Sequence, residues 1–400
     1  MNNTNAVCSF CLTPIPAEPK RKQDYCCLGE VPGVCICARC VEDASLRLNQ
    51  LANEGAIKEN MGLDIITPKA IKEKLDEWII DQELAKKRMA IAIYDHYKRI
   101  TQDLKADDII EKSNIILVGS TGSGKTALIK AVAKELNLPL HIDDVTTISS
   151  VGYQGRNVTD VLSDLLSKAD GDIELAQKGI ILLDEGDKMK RKNDGFKDVN
   201  GEGVQQGLLK ITEGGVFDVK YNNKHYKFDT SNVLFVLAGA FEGIEKQIAN
   251  RKKAKIKTGG GFTGSISSKE DLDYNKLILE VKHEDLNSFG IMPELLGRFP
   301  IITPLQELSE EALVKILTEP KNAIVKQMKK SFAVDNIELD FDKEALVTIA
   351  NKAKERKIGA RALRSVVEEI LQEPKFECPG SNINKVTIHK DLSYEFDIED

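Results

Sequence analysis

Long apolar runs are missing from this chain. Its 400 residues contain no stretch of about 18 consecutive apolar residues, the length that a membrane-spanning helix needs. The polar opening Met1–Asn5 also lacks the basic and apolar regions of a secretory signal peptide. These absences argue against a helical membrane protein and against secretion, so we expect a cytoplasmic location and no membrane partner.

An excess of positive charge is missing too. The sequence has 56 Lys and Arg against 63 Asp and Glu, a formal net charge of −7. Domains that bind nucleic acid over a broad surface are usually basic, so this balance makes nucleic acid an improbable partner. The basic run Arg251–Lys255 is the main exception, and we expect it to be a solvated loop.

Cysteine is nearly absent after residue 41, because seven of the eight cysteines precede it. Cys8 with Cys11, and Cys37 with Cys40, form two C-x-x-C pairs, each able to place two thiolates on one tetrahedral Zn²⁺. In a cytoplasmic protein this clustering favours a structural zinc site over disulfides or redox thiols. Three further cysteines lie between the pairs, and one of them, Cys35, can substitute for Cys37 as a ligand.

A phosphate-binding loop is the most informative feature that is present. The run Gly119–Thr126 follows the apolar Asn114–Val118 and precedes the helix-compatible Ala127–Ala133. Glycines in such a loop let backbone N–H groups turn toward phosphates, a lysine adds positive charge and a threonine offers its hydroxyl to Mg²⁺. The expected nucleotide-binding residues are Ser120, Thr121, Gly122, Ser123, Gly124, Lys125, Thr126 and Ala127. An ordinary glycine turn before a helix is the alternative, and the flanking strand and helix patterns disfavour it.

Two adjacent acids follow a second apolar run. Gly179–Leu183 is typical of a buried parallel strand, and Asp184 and Glu185 stand at its carboxyl end. We expect Asp184 to hold Mg²⁺ through water and Glu185 to act as general base toward an attacking water molecule. A solvated strand end is the alternative interpretation. Together with the phosphate-binding loop, the two acids predict an ATPase that uses ATP and Mg²⁺.

The chain is expected to have three parts joined by one linker. The cysteine-rich start is too short for a large core, and a polar stretch separates it from the longer remainder. The expected boundaries are 1–50 for a zinc-binding domain, 51–64 for the linker, 65–305 for a large ATPase domain and 306–400 for a small C-terminal domain.

The alternation of apolar and helical segments indicates the fold class. Apolar runs at 115–118, 180–183 and 233–238 are separated by helical patterns, which predicts an α/β domain with a parallel sheet. After Pro304 the pattern becomes mainly helical, with a short strand-like segment near 385–388.

The order of these motifs resembles the ClpX family. The phosphate-binding loop and Asp184-Glu185 are followed by the runs Val199–Gln206, Pro293–Pro300 and Gly359–Arg361 in the order seen in that family. ClpX proteins are AAA+ unfoldases that serve the ClpP peptidase and carry an N-terminal four-cysteine zinc domain. The resemblance extends from Cys8 to the last strand-like segment. The zinc motif distinguishes the chain from HslU, and the single phosphate-binding loop distinguishes it from Clp proteins with two rings.

The resemblance implies a homo-hexameric ring with ATP bound between neighbouring subunits. It identifies Arg298 as an arginine finger that reaches the adjacent subunit's nucleotide, and Arg361 as the arginine that senses nucleotide state. Ile79 and Ile80 correspond to residues that pack on adenine. Asp81 stands where the family commonly has glycine, so the form of this turn is an open question at the level of sequence.

The resemblance also implies a pore that moves protein substrates. Tyr153, between Gly152 and Gly155, is similar to the aromatic residue that grips the polypeptide. The run Lys197–Glu202 resembles a second pore loop. A third loop of the family is present only in shortened form around Lys224-His225.

One departure from the family concerns the peptidase. ClpX proteins dock on ClpP through an Ile-Gly-Phe tripeptide; here Phe262 is present, but Gly260 stands in place of the isoleucine. Each missing aliphatic side chain removes about 2 kcal/mol of burial. The resemblance therefore implies an unfoldase that works with an altered ClpP-type peptidase or without one.

Two other functions remain open at the level of sequence. One is a zinc-bearing AAA+ motor that acts on nucleic acid, which the acidic balance opposes. The other is a non-hydrolysing regulatory subunit that joins other ClpX rings. The presence of Lys125, Asp184, Glu185 and Arg298 argues against that second alternative.

Overall fold

The computed structural model describes most of the chain. The described residues are 7–11, 13–14, 26–28, 35–41, 44, 67–101, 111–148, 156–190, 201–258, 273–356 and 358–398. The chain divides into two compact units, Met1–Ile66 and Thr67–Asp400. Among the described helices, none is long and apolar enough to cross a membrane. The expected linker, 51–64, lies outside the described residues.

The N-terminal unit contains a small antiparallel ribbon. Strand β1 (Cys26–Leu28) pairs with β2 (Cys35–Cys37), so that Cys26 lies opposite Cys37. An isolated antiparallel bridge joins Val7 to Pro14 and turns the chain back after the first cysteine pair.

The second unit is built on a five-stranded parallel sheet. The strands of this region are β3 (Ile115–Val118), β4 (Leu140–Asp144), β5 (Ile180–Asp184), β6 (Val216–Tyr221), β7 (Lys224–Asp229), β8 (Leu234–Gly239) and β9 (Ile301–Pro304). The order of strands in the parallel sheet is β4-β5-β8-β3-β9. Every residue of β3 and β8 is buried, as expected for strands covered on both faces. The predicted parallel α/β fold is confirmed.

Helices cover both faces of this sheet. They are α1 (Pro68–Asp76), α2 (Glu83–Thr101), α3 (Lys125–Glu135), α4 (Val158–Lys168), α5 (Ile173–Ala176), α6 (Gly201–Glu213), α7 (Ile244–Thr258), α8 (Tyr274–Ile278), α9 (His283–Phe289) and α10 (Pro293–Gly297). Because the carboxyl ends of parallel strands share one edge of a sheet, the phosphate-binding loop after β3 and the acids at the end of β5 lie at the same edge.

Two features of this region were not expected from sequence. Strands β6 and β7 form an antiparallel hairpin whose turn residues, Asn222 and Asn223, both have positive φ values, 47° and 61°. The basic run that we expected to be a loop lies in helix α7 instead. Arg251 pairs with Asp285 at 2.8 Å, so this arginine stabilises the contact between α7 and α9.

The C-terminal part is mainly helical, as predicted, and also contains a sheet. Its helices are α11 (Glu310–Thr318), α12 (Ile324–Val334), α13 (Lys343–Glu355), α14 (Arg361–Ile370) and α15 (Gln372–Glu377). Strand β11 (Ile383–Ile388) lies between the parallel β10 (Glu338–Phe341) and the antiparallel β12 (Tyr394–Ile398). The expected strand near 385–388 therefore has a partner, β10, that the sequence pattern did not reveal.

Candidate functional site

The phosphate-binding loop connects β3 to α3. Gly122 and Gly124 have φ values of 79° and 101°, a conformation that glycine adopts without strain. Gly124 is the N-cap of α3, and it supplies no side-chain hydrogen bond to the first turn. The N–H groups of that turn therefore point to the open end of the helix, where an anion is favoured by the helix dipole.

Lys125 lies over this loop. Its ammonium donates to the carbonyl oxygens of Gly119 at 2.7 Å and Ser120 at 3.0 Å, and the residue is 8% exposed. The pKa of Lys125 is lowered overall, chiefly by burial. The negative charge of Asp184 opposes this shift, and the positive charge of Arg361 adds to it. The lysine thus lies within range of the charges of Asp184 and Arg361, two of the residues predicted for the site.

The magnesium residues predicted from sequence meet directly. The hydroxyl of Thr126 donates to Oδ2 of Asp184 at 3.0 Å, while Oδ1 of Asp184 accepts from the N–H of Glu185 at 3.0 Å. A hydroxyl and a carboxylate side by side at the phosphate-binding loop are hard oxygen ligands of the kind that Mg²⁺ prefers. The residues present therefore fit a magnesium ion.

Glu185 has an unusual backbone conformation. Its φ of 57° lies in the left-handed region, and the residue is exposed immediately after the buried strand β5. Gly186 follows because a Cβ there would lie 2.6 Å from Cδ1 of Leu237. A non-glycine residue in this conformation costs free energy, and such strain is found most often where a side chain must be presented for function.

Asp187 is a site residue that the sequence analysis missed. It is 7% exposed, and its Oδ1 accepts from the N–H of Ala240 at 3.0 Å, which joins the ends of β5 and β8. Its charge also raises the pKa of Lys125. The signal available in the sequence was a third acid two positions after Glu185.

The adenine residues implied by the resemblance lie between α1 and α2. Ile79 is buried and Ile80 is half-buried. Asp81 and Gln82 adopt positive φ values of 54° and 58°. Asp81 therefore adopts the left-handed conformation that glycine favours, and aspartate tolerates this region better than most residues do.

Gln82 links three distant segments and was also missed. Its side-chain amide donates to the carbonyl of Ser123 at 3.2 Å and to the carbonyl of Gln306 at 2.8 Å. Its Oε1 accepts from the N–H of Gln306 at 3.0 Å. One buried amide therefore ties the phosphate-binding loop to the chain that enters the C-terminal part.

Arg361 is brought to the phosphate-binding loop of its own chain. It begins α14, and the N–H of the preceding residue, Ala360, donates to the carbonyl of Gly122 at 3.2 Å. The backbones are so close that a Cβ on Gly122 would lie 2.2 Å from the carbonyl oxygen of Ile358. The influence of Arg361 on the pKa of Lys125 is consistent with this proximity.

Arg298 lies at the other end of β3. Its carbonyl accepts from the side-chain amide of Asn114 at 2.8 Å, and Asn114 directly precedes this strand, whereas the phosphate-binding loop follows it. Four strand residues separate these ends by about 13 Å. The guanidinium is 49% exposed and pairs with Glu213 at 2.7 Å. The structure therefore does not bring Arg298 to the phosphate-binding loop of the same chain.

The four predicted zinc ligands come together in the N-terminal unit. The sulfur atoms of Cys8, Cys11, Cys37 and Cys40 all lie within 4.8 Å of one another. The Cys11 and Cys37 sulfurs are 3.7 Å apart, close to the edge of about 3.8 Å that a tetrahedron with Zn–S bonds of 2.3 Å has. Cys37 thus belongs to the cluster. The side chain of Cys35 lies outside the described residues.

The protonation of these thiols fits a cation centre. Backbone N–H groups of Cys11 and Cys37 lower the pKa of Cys8 to about 6. The neighbouring Cys11 sulfur is the main cause that raises the pKa of Cys40, to about 12. Crowded sulfurs resist becoming four thiolates unless positive charge lies between them, so the cluster is suited to Zn²⁺.

The pore and docking residues are placed only in part. Tyr153, Phe262 and Gly260 lie outside the described residues. Lys224 and His225 are exposed at the start of β7, and Nδ1 of His225 lies 2.9 Å from Oδ2 of Asp218 across the hairpin.

The chain resembles known protein families along nearly its whole length. Residues 110–302 match the model described as AAA domain (Cdc48 subfamily), and residues 308–379 match the model of the C-terminal, D2-small domain of ClpB protein. The ATP-dependent Clp protease ATP-binding subunit ClpX of Treponema denticola is 41% identical over 94% of this chain and 90% of its own length. Those of Porphyromonas gingivalis and Bacteroides thetaiotaomicron are 39% and 41% identical over 93% and 90% of this chain, and over 95% and 89% of their own lengths.

The chain belongs to the ClpX family. Like other ClpX proteins it is an ATP-binding ATPase and an ATP-dependent unfoldase. Membership of this family does not favour the nucleic-acid motor considered above. The N-terminal four-cysteine cluster is consistent with the zinc domain that the resemblance implied.

Proposed function

We propose that this chain is one subunit of a homo-hexameric cytoplasmic unfoldase that threads protein substrates through a central pore. The observation that supports this proposal most directly is the separation of the two arginines. Arg361 directly follows Ala360, whose N–H donates to the loop that binds phosphate in its own chain, whereas Arg298 lies at the far end of β3, about 13 Å along the strand. A ring of identical chains supplies the second arginine from a neighbour.

Within one chain the residues at the sheet edge have separate roles in hydrolysis. The backbone of the phosphate-binding loop and Lys125 would hold the phosphates. Thr126 and Asp184 would hold Mg²⁺, which would supply positive charge to the phosphate oxygens. Glu185 accepts a proton from the attacking water as that water bonds to the γ-phosphorus, and the bond from that phosphorus to the bridging oxygen breaks, so that ADP leaves with the electron pair. The guanidinium of a neighbour's Arg298 stabilises charge on the transferring group.

The N-terminal cysteines have a structural role in this proposal. Four thiolates would complete the coordination of Zn²⁺ and leave no position for a substrate. We assign Cys8, Cys11, Cys37 and Cys40 as the ligands, on the basis of their mutual distances. If Cys37→Ser retained full zinc content while Cys35→Ser lost it, Cys35 would replace Cys37 in this assignment.

Substrate handling is assigned to residues outside the described part of the chain. Tyr153 presents an aromatic surface that contacts polypeptides of any sequence. Phe262 contacts a ClpP-type peptidase, and Gly260 weakens that contact because it provides no aliphatic side chain.

The test is ATP-dependent unfolding of a tagged fluorescent protein, with and without a ClpP-type peptidase. We expect the wild-type chain to unfold the reporter in both cases and Tyr153→Ala to hydrolyse ATP without unfolding it. Gly260→Ile is expected to strengthen binding to the peptidase, with Phe262→Ala as the control that weakens it. ATP hydrolysis by wild type with no unfolding of any tagged reporter would refute the proposal.

A further inference from the structure

A second cluster of charged side chains lies at the edge strand β4, which pairs with β5, the strand whose carboxyl end bears the two acids. His141 and Asp143 belong to β4, Arg156 lies just before α4, and Asp164 lies within α4. One histidine and two carboxylates in this proximity can hold a metal ion. Here, however, a guanidinium already lies against both acids, so the cation of the cluster is Arg156.

The guanidinium of Arg156 joins the strand to the helix. Its NH1 lies 3.1 Å from Oδ2 of Asp143, and its NH2 contacts Oδ2 of Asp164. Nε2 of His141 lies 3.4 Å from Asp143 and 3.6 Å from Asp164. Asp143 is only 5% exposed, whereas Arg156 and Asp164 are 39% and 43% exposed. Burial raises the pKa of Asp143, but the hydrogen bond from His141 and the charge of Arg156 together have the larger effect, so this pKa is lowered overall.

The same cluster fixes the two ends of one chain segment. Ile148 and Arg156 form an isolated parallel bridge, and the N–H of Arg156 donates to the carbonyl of Thr147 at 3.2 Å. The hydroxyl of Thr147 in turn donates to Oδ1 of Asp143 at 3.2 Å. The chain therefore leaves β4 and returns to α4 at points that one buried carboxylate and one arginine hold together.

We propose that Arg156 is a positioning residue that transmits force between the substrate-gripping segment 149–155 and the sheet, through its ion pairs with Asp143 and Asp164. This inference rests on the proposed role of Tyr153, which lies between the two fixed ends. Pulling on a substrate loads the segment at both ends. Among the described residues, the other connection between the ends is the backbone bridge from Ile148 to Arg156, which we expect to yield more easily under load when the ion pairs are removed.

The experiment measures how many ATP molecules are hydrolysed for each reporter molecule unfolded. Arg156→Met keeps the apolar volume and removes the ion pairs, and Arg156→Lys keeps the charge but loses the planar fork that contacts two carboxylates. We expect Arg156→Met to hydrolyse ATP at the wild-type rate without substrate and to use about fivefold more ATP per reporter, the effect of losing a partly exposed ion-pair network. Arg156→Lys is expected to fall between Arg156→Met and wild type.

Two further variants separate this inference from its alternatives. Asp164→Asn removes the exposed partner and should raise the ATP cost no further when it is combined with Arg156→Met, because both changes break one connection. A purely structural role would instead lower thermal stability, basal hydrolysis and unfolding together, and that result would overturn the inference. The inference would also be overturned if Arg156→Met used as much ATP per unfolded reporter as wild type, in an assay in which Tyr153→Ala abolishes unfolding. Wild-type unfolding by Tyr153→Ala would refute the assignment of the gripping residue, and the inference with it.

Discussion

Substitution of Gly122 by alanine tests how the C-terminal part is held on the phosphate-binding loop. A Cβ at this position would lie 2.2 Å from the carbonyl oxygen of Ile358 and 2.7 Å from the Cα of Gly359, and both are backbone atoms that cannot rotate away. Gly124→Ala is the matched control, since Gly124 also has a positive φ but no atom lies within 4 Å of its added Cβ.

The two variants share one cost and differ in another. Either alanine is forced into the left-handed region, at about 1–2 kcal/mol. Only Gly122→Ala must also push the start of α14 away from the loop, and overpacking of this kind costs about 1–3 kcal/mol. We therefore expect the free energy of unfolding to fall further for Gly122→Ala than for Gly124→Ala by about 1–3 kcal/mol.

The single tryptophan provides the assay. Nε1 of Trp78 donates to Glu135 at 2.7 Å, and the ammonium of Lys321 lies 5.7 Å from the centre of its ring. Its fluorescence thus reports contact between the end of α3 and the C-terminal part. Urea titration of nucleotide-free protein should show the loss of this contact at a lower urea concentration for Gly122→Ala than for Gly124→Ala. Identical midpoints for both variants would refute the argument that the backbone contact to Ile358 stabilises the unit.

Three other changes probe the remaining assignments. Glu185→Gln should still bind ATP but hydrolyse it at least about 100-fold more slowly, because an amide cannot accept the water proton; steady-state hydrolysis near the wild-type rate would remove Glu185 from the role of base. Arg298→Ala should lower hydrolysis about 1,000-fold while nucleotide affinity, measured by titration with a fluorescent ATP analogue, changes little; a loss of affinity alone would contradict the finger assignment. Cys8→Ser should reduce zinc, measured by plasma mass spectrometry, from about one ion per chain to none, with ATPase activity retained because Thr67–Asp400 is a separate unit; wild-type protein purified without chelator that contained no zinc would disprove the metal assignment.

The parts of the fold that could be predicted from sequence are those with a local signal. Strands β3, β5 and β8 are continuous apolar runs, because a central parallel strand is covered on both faces. Strand β10 has only two apolar residues in four and pairs with β11, in a register that joins Glu338 to Lys385. No local pattern indicates such a pairing. The basic run in α7 was mistaken for a loop because its lysines carry no helical apolar period.

The same division applies to the site. The loop that binds phosphate and the pair of acids after β5 are each a run of consecutive residues beside an apolar strand, so motif and strand pattern were sufficient to find them. The link made by Gln82 could not be found in this way, since Gln306 lies 224 positions away and only the folded chain brings the two residues together. The turn at Asp81 was uncertain for another reason, because the sequence does not show whether a residue that can adopt positive φ does so.

The position of Arg298 has a consequence for symmetry. A chain that presents its nucleotide on one side and its finger on another cannot complete two sites by pairing face to face with a twofold-related copy, because the contact is not self-complementary. Each contact must instead run head to tail, and such contacts either close into a ring or continue as an open helix. An open assembly always leaves one terminal nucleotide without a finger, whereas a closed ring leaves none. Under the proposed finger role of Arg298, closure of a ring would therefore be the step that makes every bound ATP hydrolysable.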